Sequence, residues 1–300
     1  AAIGIYRAAK TLNKKAYIVI DNPTSSIIPL MNTFSDNQDY EADMFVNNHE
    51  AKEIMDDNTL LVVVDTNKPS ITQCEDLLYM AKMIVVLDHH RQGSDTIRNS
   101  VLSYIEPYAS SASEMVAEIL QYFTEGIRIR NVEADSIYAG IMIDTDNFMQ
   151  KTGVRTFEAA AFLRRCGADV TRVRKLFRED MNDYKARGET IRNAELFRGQ
   201  FAISECPSDY VDSPTVVGAQ AANELLNIVG VKASFVLTEY KGVIYISARA
   251  IDEVNVQIIM ERMGGGGHLN MAGCQLETVD LEGARSLLKS TLTEMQDGGE

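Results

Sequence analysis

Residues 83–90 read MIVVLDHH, an apolar run that ends in one carboxylate and two imidazoles: Asp88, His89 and His90. The chain has four histidines in all, so half of them fall at this one tip. Two further aspartates follow apolar runs, Asp65 after LLVVV and Asp144 after GIMI. Any one of these alone is more often a turn former or a helix cap. Three of them converging with His89 is another matter, because clustered carboxylates repel one another unless a cation lies between. Oxygen donors joined by one or two imidazoles suit Mn²⁺ or Mg²⁺ better than a thiolate-held Zn²⁺. Two such ions about 4 Å apart activate a water and stabilise phosphate oxygens, so the chemistry indicated is metal-assisted phosphoester cleavage.

A second group lies downstream in MGGGGHLNMAG, residues 263–273. A glycine run lets backbone N–H groups approach an anion closely, and His268 supplies a donor beside it. Linkers are also glycine-rich, but this run sits between a helix and an apolar segment, which favours a fixed loop. In ISARA, Arg249 lies two residues after Ser247, so both side chains point to one face of a strand. A guanidinium there is either a surface arginine or a phosphate clamp.

Such groups need strand ends and loops to hold them. AYIVID (16–21), LLVVVDT (60–66) and MIVVLDHH (83–90) have the short, β-branched character of buried parallel strands. Ligands bind outside the carboxyl ends of such strands. The segments 111–125, 132–145 and 155–167 carry helical apolar stripes, and Ser111 with Glu114 fits a capping box. The alternation predicts an α/β domain with a mostly parallel sheet over 1–170, followed by a helical linker over 171–195. A smaller, mixed-sheet α/β domain is expected over 196–300, with ASFVLTEY and GVIYISARA forming a tight hairpin around Lys241, and an active-site cleft between the domains.

The net charge of −14 argues against a long nucleic-acid footprint, which needs a broad basic surface. It leaves room for a small phosphorylated ligand. Residues 151–180 run against the balance, with eight Lys or Arg, and are either a solvated helix face or part of an anion site. No window is long and apolar enough for a membrane span. Residues 1–15 have the pattern of an amphipathic helix rather than a secretory leader. The four scattered cysteines suit reduced thiols in a cytoplasmic protein.

VVVDTNKPS, VLDHH, GIMIDTDNF and GGGGHLNMAG, in that order, resemble the DHH phosphoesterase superfamily with its DHH-associated domain. Residues SYIEPYASSASEMVAEILQYF and MNDYKARGETIRNAELFRGQFAIS are similar to the GdpP-type cyclic di-AMP phosphodiesterases. The resemblance implies a two-manganese enzyme that hydrolyses cyclic di-AMP to linear pApA. By motif, Asp65 would bridge the two Mn²⁺ ions, and His89 and Asp144 would complete the second. Asp88 and His90 would be catalytic or supporting partners, while Arg249 with Gly265, Gly266, Gly267 and His268 would hold substrate phosphate. The family's opening motif, H-x-x-x-D-x-D-A-I-G-A-A-I-G, is matched only by its tail, AAIGIYRAA, so one His and two Asp ligands are expected upstream of Ala1. His49 is expected at the surface. Members of this subfamily carry upstream membrane and sensory domains, which implies a cytoplasmic catalytic portion of a membrane-anchored protein; a homodimer is left open. The alternatives are a nanoRNase or 3′-phosphoadenosine phosphatase of the same superfamily, or a catalytically silent nucleotide-binding module.

Overall fold

A computed structural model describes residues 1–23, 27–178, 180–251 and 253–297. The chain divides into two compact units, Ala1–Arg178 and Glu179–Glu300. The first opens with α1 (Ala2–Thr11), β1 (Ile18–Val19), α2 (Ile28–Ser35), β2 (Phe45–Val46) and α3 (Asn48–Ile54). It continues through β3 (Leu60–Val64), α4 (Asp76–Met80), β4 (Met83–Asp88) and β5 (Leu102–Ile105). Then come α5 (Ala112–Phe123), α6 (Asn131–Asp144), α7 (Val154–Arg165) and α8 (Val170–Leu176).

Strands β3, β4 and β5 form a parallel sheet in that order, as expected of an α/β domain. The middle strand explains its own apolar run. Ile84 and Val86 pack on one face against Val63, Leu78 and Ile97. Leu87 packs on the other, against Val116 and Leu120 of α5, Ile137 and Ile141 of α6 and Leu163 of α7. With both faces covered, no polar alternation is tolerated. The expected strand at 16–21 shrinks to Ile18–Val19, paired in parallel with β2 in a separate two-stranded sheet. The edge strand β5 was not expected, because its exposed LSY lacks the buried-strand pattern.

The helical layer is held close by small residues. A Cβ on Gly140 of α6 would meet Ser113 Oγ of α5 at 2.1 Å, so glycine permits this crossing. Ser111 caps α5 by accepting the Glu114 N–H at 2.9 Å. The reciprocal half of the expected capping box is replaced: the buried Glu114 carboxylate accepts from the Ser110 hydroxyl at 2.5 Å.

The second unit contains α9 (Met181–Arg192), β6 (Glu195–Phe197), β7 (Phe201–Cys206), α10 (Pro214–Leu225), β8 (Ala233–Tyr240) and β9 (Val243–Ala250). It closes with α11 (Val256–Arg262), β10 (Gly266–His268), β11 (Met271–Leu276) and α12 (Leu281–Asp297). Its sheet runs β10-β11-β9-β8-β7-β6 and is mixed: β7 and β8 are parallel, and the other pairs antiparallel. The β8–β9 hairpin turns on Lys241 and Gly242, with φ of 54° and 77°, as a two-residue primed turn requires. The helices of 171–195 divide between the units: Val173 of α8 joins the core of the first, and Ala186 of α9 that of the second. Among the described residues no helix is long and apolar enough to cross a membrane.

Candidate metal centre

The register of the parallel sheet sets Val64 beside Leu87, so Asp65 and Asp88 leave their strands at the same level. The Asp65 N–H donates to Leu87 O at 3.0 Å, continuing the ladder, and Asp65 then turns left-handed with φ of 66°. Aspartate tolerates that conformation better than most residues. Asp144 arrives from a helix C-terminus rather than a strand, as the last residue of α6. Helix carbonyl dipoles there add negative potential to its own charge. Just beyond it the chain reverses: Asp146, Asn147 and Phe148 all have positive φ. The buried Thr145 hydroxyl secures the reversal, donating to Ile141 O at 2.6 Å and accepting the Phe148 N–H at 3.0 Å.

His89 lies between the two carboxylates, its Nε2 at 3.4 Å from Asp65 Oδ1 and 3.9 Å from Asp144 Oδ2. Asp65, His89 and His90 each offer a ligand atom within 4.8 Å of the others. Burial would raise the Asp65 carboxyl, but the His89 imidazole beside it holds it below the usual range. The same bond to Asp65 raises His89 above its ordinary 6.5, against the effect of burial. Burial, followed by the charge of Asp65, raises Asp144. Two carboxylates therefore face one imidazole at this position. The donors are carboxylate and imidazole with no thiolate, and a divalent cation among them would relieve the carboxylate repulsion; the residues fit such an ion. Asp146 stands apart, exposed and bonded to Gln150 at 3.3 Å.

Asp88 does not face the cluster. It is fully buried and holds His90 from below, its Oδ1 at 2.8 Å from His90 Nδ1 and accepting the His90 backbone N–H at 3.2 Å. Its other oxygen accepts from Asn67 Nδ2 at 2.6 Å. Asn67, buried two residues after Asp65, was missed in the sequence; its one signal was an uncharged polar side chain directly following a candidate ligand strand.

The second unit carries the other candidate residues. Arg249 is half-buried on β9, with Nη1 on the neighbouring Ala248 O at 2.9 Å and Nε buried without a partner. Among the described residues no carboxylate pairs with it, and desolvation lowers its pKa. The register aligns Arg249 with Met271 and His268 across three strands, and Ser247 with Gly273 and Gly266 in the adjacent row. Gly266 and Gly267, half of the glycine run, thus lie in the edge strand β10 rather than in the expected loop.

Residues 1–141 match the DHH family, N-terminal domain, and residues 201–294 match the DHHA1 domain. The chain pairs a DHH domain with a DHHA1 domain. It is 42% identical over 305 residues to the cyclic-di-AMP phosphodiesterase GdpP of Bacillus subtilis and 38% identical over 295 residues to the cyclic-di-AMP phosphodiesterase PdeA of Listeria monocytogenes. These alignments take in 100% and 97% of the chain but 46% and 45% of the relatives, so the chain spans less than half their length. In fold it resembles an exopolyphosphatase-related protein from Bacteroides fragilis, with a TM-score of 0.81 at 20% identity, over 98% of this chain and 87% of that one.

In the DHH unit three arginines of the basic segment 151–180 pair within the fold. Arg155 makes two 2.7 Å bonds to Glu118, and Arg172 bonds Asp135 at 2.6 and 3.1 Å. Arg164 bonds Ala168 O. These pairings favour the structural reading over an anion site for those three arginines. His49 is at the surface beside Glu53, as expected.

The charges of the DHH cluster predict a pH dependence. Without a cation, the raised His89 pKa is stability present below 6.5 and lost as pH rises through its folded value. The lowered Asp65 pKa acts oppositely, giving stability above 3.8 that is lost as pH falls through its folded value. A cation must displace the His89 proton, so binding should release protons and tighten as pH rises through the raised His89 value. Calorimetry in buffers of different ionisation enthalpy checks this; a proton count near zero over that window would remove His89 from the ligand set.

Proposed function

We propose that the protein is a manganese-dependent phosphodiesterase that opens cyclic di-AMP to linear pApA. The observation that carries this reading is His89 set between Asp65 and Asp144 on the DHH unit, with His90 beside it. The identity to relatives named for that activity supports the substrate. In the reaction a water oxygen forms a bond to phosphorus, the P–O3′ bond breaks, and the 3′ oxygen leaves as a hydroxyl with the proton that the water gives up. Held by Asp65, His89 and Asp144, a divalent cation would supply Lewis-acid polarisation of the phosphate. His90, exposed and backed by Asp88, is the imidazole able to exchange a proton with the attacking or leaving oxygen. On the DHHA1 unit, Arg249, which has no carboxylate partner among the described residues, and the backbone of Gly265, Gly266 and Gly267 with His268 would supply donors for phosphate oxygens.

The protein is expected to bind manganese and to cleave cyclic di-AMP in preference to linear substrates. Elemental analysis and product chromatography with cyclic di-AMP, pApA and 3′-phosphoadenosine as competing substrates test this. Cleavage of only the linear substrates would favour the nanoRNase or phosphatase reading. Binding of a cyclic dinucleotide without turnover would favour a silent module.

A further inference from the structure

We infer that Asn67 is a positioning residue that selects the tautomer of His90 through Asp88. Three observations carry it. Asn67 and Asp88 are buried, at 2% and 0% exposure, so neither can meet substrate. Every oxygen of Asp88 is engaged as an acceptor: Oδ1 by the His90 ring and backbone, and Oδ2 by Asn67. Asn67 Nδ2 also donates to His90 O at 3.2 Å, so one amide group grips both the carboxylate and the backbone of the histidine it serves.

The amide can take only one orientation here. Turning it over would set its oxygen against the Asp88 carboxylate, two acceptors with no proton between them. The chain keeps the donor there and leaves Asn67 Oδ1 buried with no partner among the described residues. A site selected for stability alone has no reason to retain that orphan oxygen. With Asn67 and the His90 backbone fixing the carboxylate, the proton between Asp88 and His90 belongs to Nδ1. His90 Nε2 is then left unprotonated in the neutral ring, with the side chain 60% exposed. Supporting hydrogen bonds of this kind orient a metal-site imidazole and set its basicity.

The four histidines make the test tractable. In cation-free protein labelled with ¹⁵N-histidine, two-bond ¹H–¹⁵N spectra at alkaline pH should show His90 as the Nδ1–H tautomer, assigned with His90→Gln. Asn67→Leu removes the grip, and Asn67→Asp keeps the size while replacing the donor with an acceptor, which provides a second variant should the first not fold. In either, the His90 signals should move toward the Nε2–H tautomer or a mixture. Turnover of cyclic di-AMP should fall about 10–100-fold in kcat with KM little changed. A wild-type His90 already in the Nε2–H form, or unchanged His90 signals in both variants, overturns the inference. The turnover arm alone rests on the proposed function: a tautomer shift in a protein that never hydrolyses cyclic di-AMP keeps the positioning role and removes the activity.

Discussion

Asp65→Asn should lower turnover by more than about 100-fold, beyond the loss typical of a residue that only supports a ligand. It should also reduce cation content while leaving the circular dichroism spectrum unchanged. The fold is spared because Asp65 sits in a left-handed turn that asparagine adopts equally well, and its backbone N–H keeps its bond to Leu87 O. The site is not spared, since one of the two carboxylates facing His89 Nε2 loses its charge. His89 reports this separately from turnover. Its pKa is raised chiefly by the bond to Asp65, so in Asp65→Asn it should drop back toward 6.5 in an NMR titration of the cation-free chain. Asp144→Asn should have a similar effect on cation content, and Asp146→Asn almost none, because Asp146 is turned out to solvent by the reversal after α6. Near-normal cation content and turnover in Asp65→Asn would remove it from the centre.

The parts of this architecture visible in the sequence are those fixed by short-range pattern. Strand β4 was legible because Ile84, Val86 and Leu87 are buried on opposite faces, which leaves an unbroken apolar run. The primed turn at Lys241-Gly242 was legible because two strands of opposite direction flank it with no other residues between. The ligand candidates stood out because a charged residue directly after such a run has few structural uses. What stayed hidden depends on pairs distant in sequence. Asn67 and Asp88 are twenty-one residues apart, and nothing in TNKPS announces that this asparagine faces a carboxylate. The arginines of α7 and α8 gave an excess of charge locally, and their partners Glu118 and Asp135 lie 37 residues away on other helices. Strand β5 pairs on one side only and exposes Leu102 and Tyr104, so its pattern matched neither template.

The glycine run shows the same limit and yields the sharpest contrast between substitutions. Its three candidate glycines are not equivalent. A Cβ on Gly265 would stand 2.2 Å from Gly273 O and 2.4 Å from Cys274 Cβ. One on Gly267 would stand 2.5 Å from Ala272 Cα, on a backbone with φ of 148°. Both contacts are with the neighbouring strand β11, which cannot give way without breaking the hairpin. Gly265→Ala and Gly267→Ala should each destabilise the protein by about 1–3 kcal/mol, the usual result of overpacking, seen as a lower denaturation midpoint. Gly266 differs, since a Cβ there meets no protein atom within 4 Å. Alanine should leave stability unchanged or slightly improved, because it orders the unfolded chain less expensively than glycine. It shares a row with Gly273 and Ser247, beside the row of Arg249, and so a methyl group there can obstruct only what comes from outside. Gly266→Ala should therefore weaken binding of cyclic di-AMP about tenfold, or about 1.4 kcal/mol, while the cation content is unaffected. Unchanged dinucleotide affinity in a stable Gly266→Ala would mean that all three glycines exist for the close approach of β10 to β11, and that phosphate is held elsewhere.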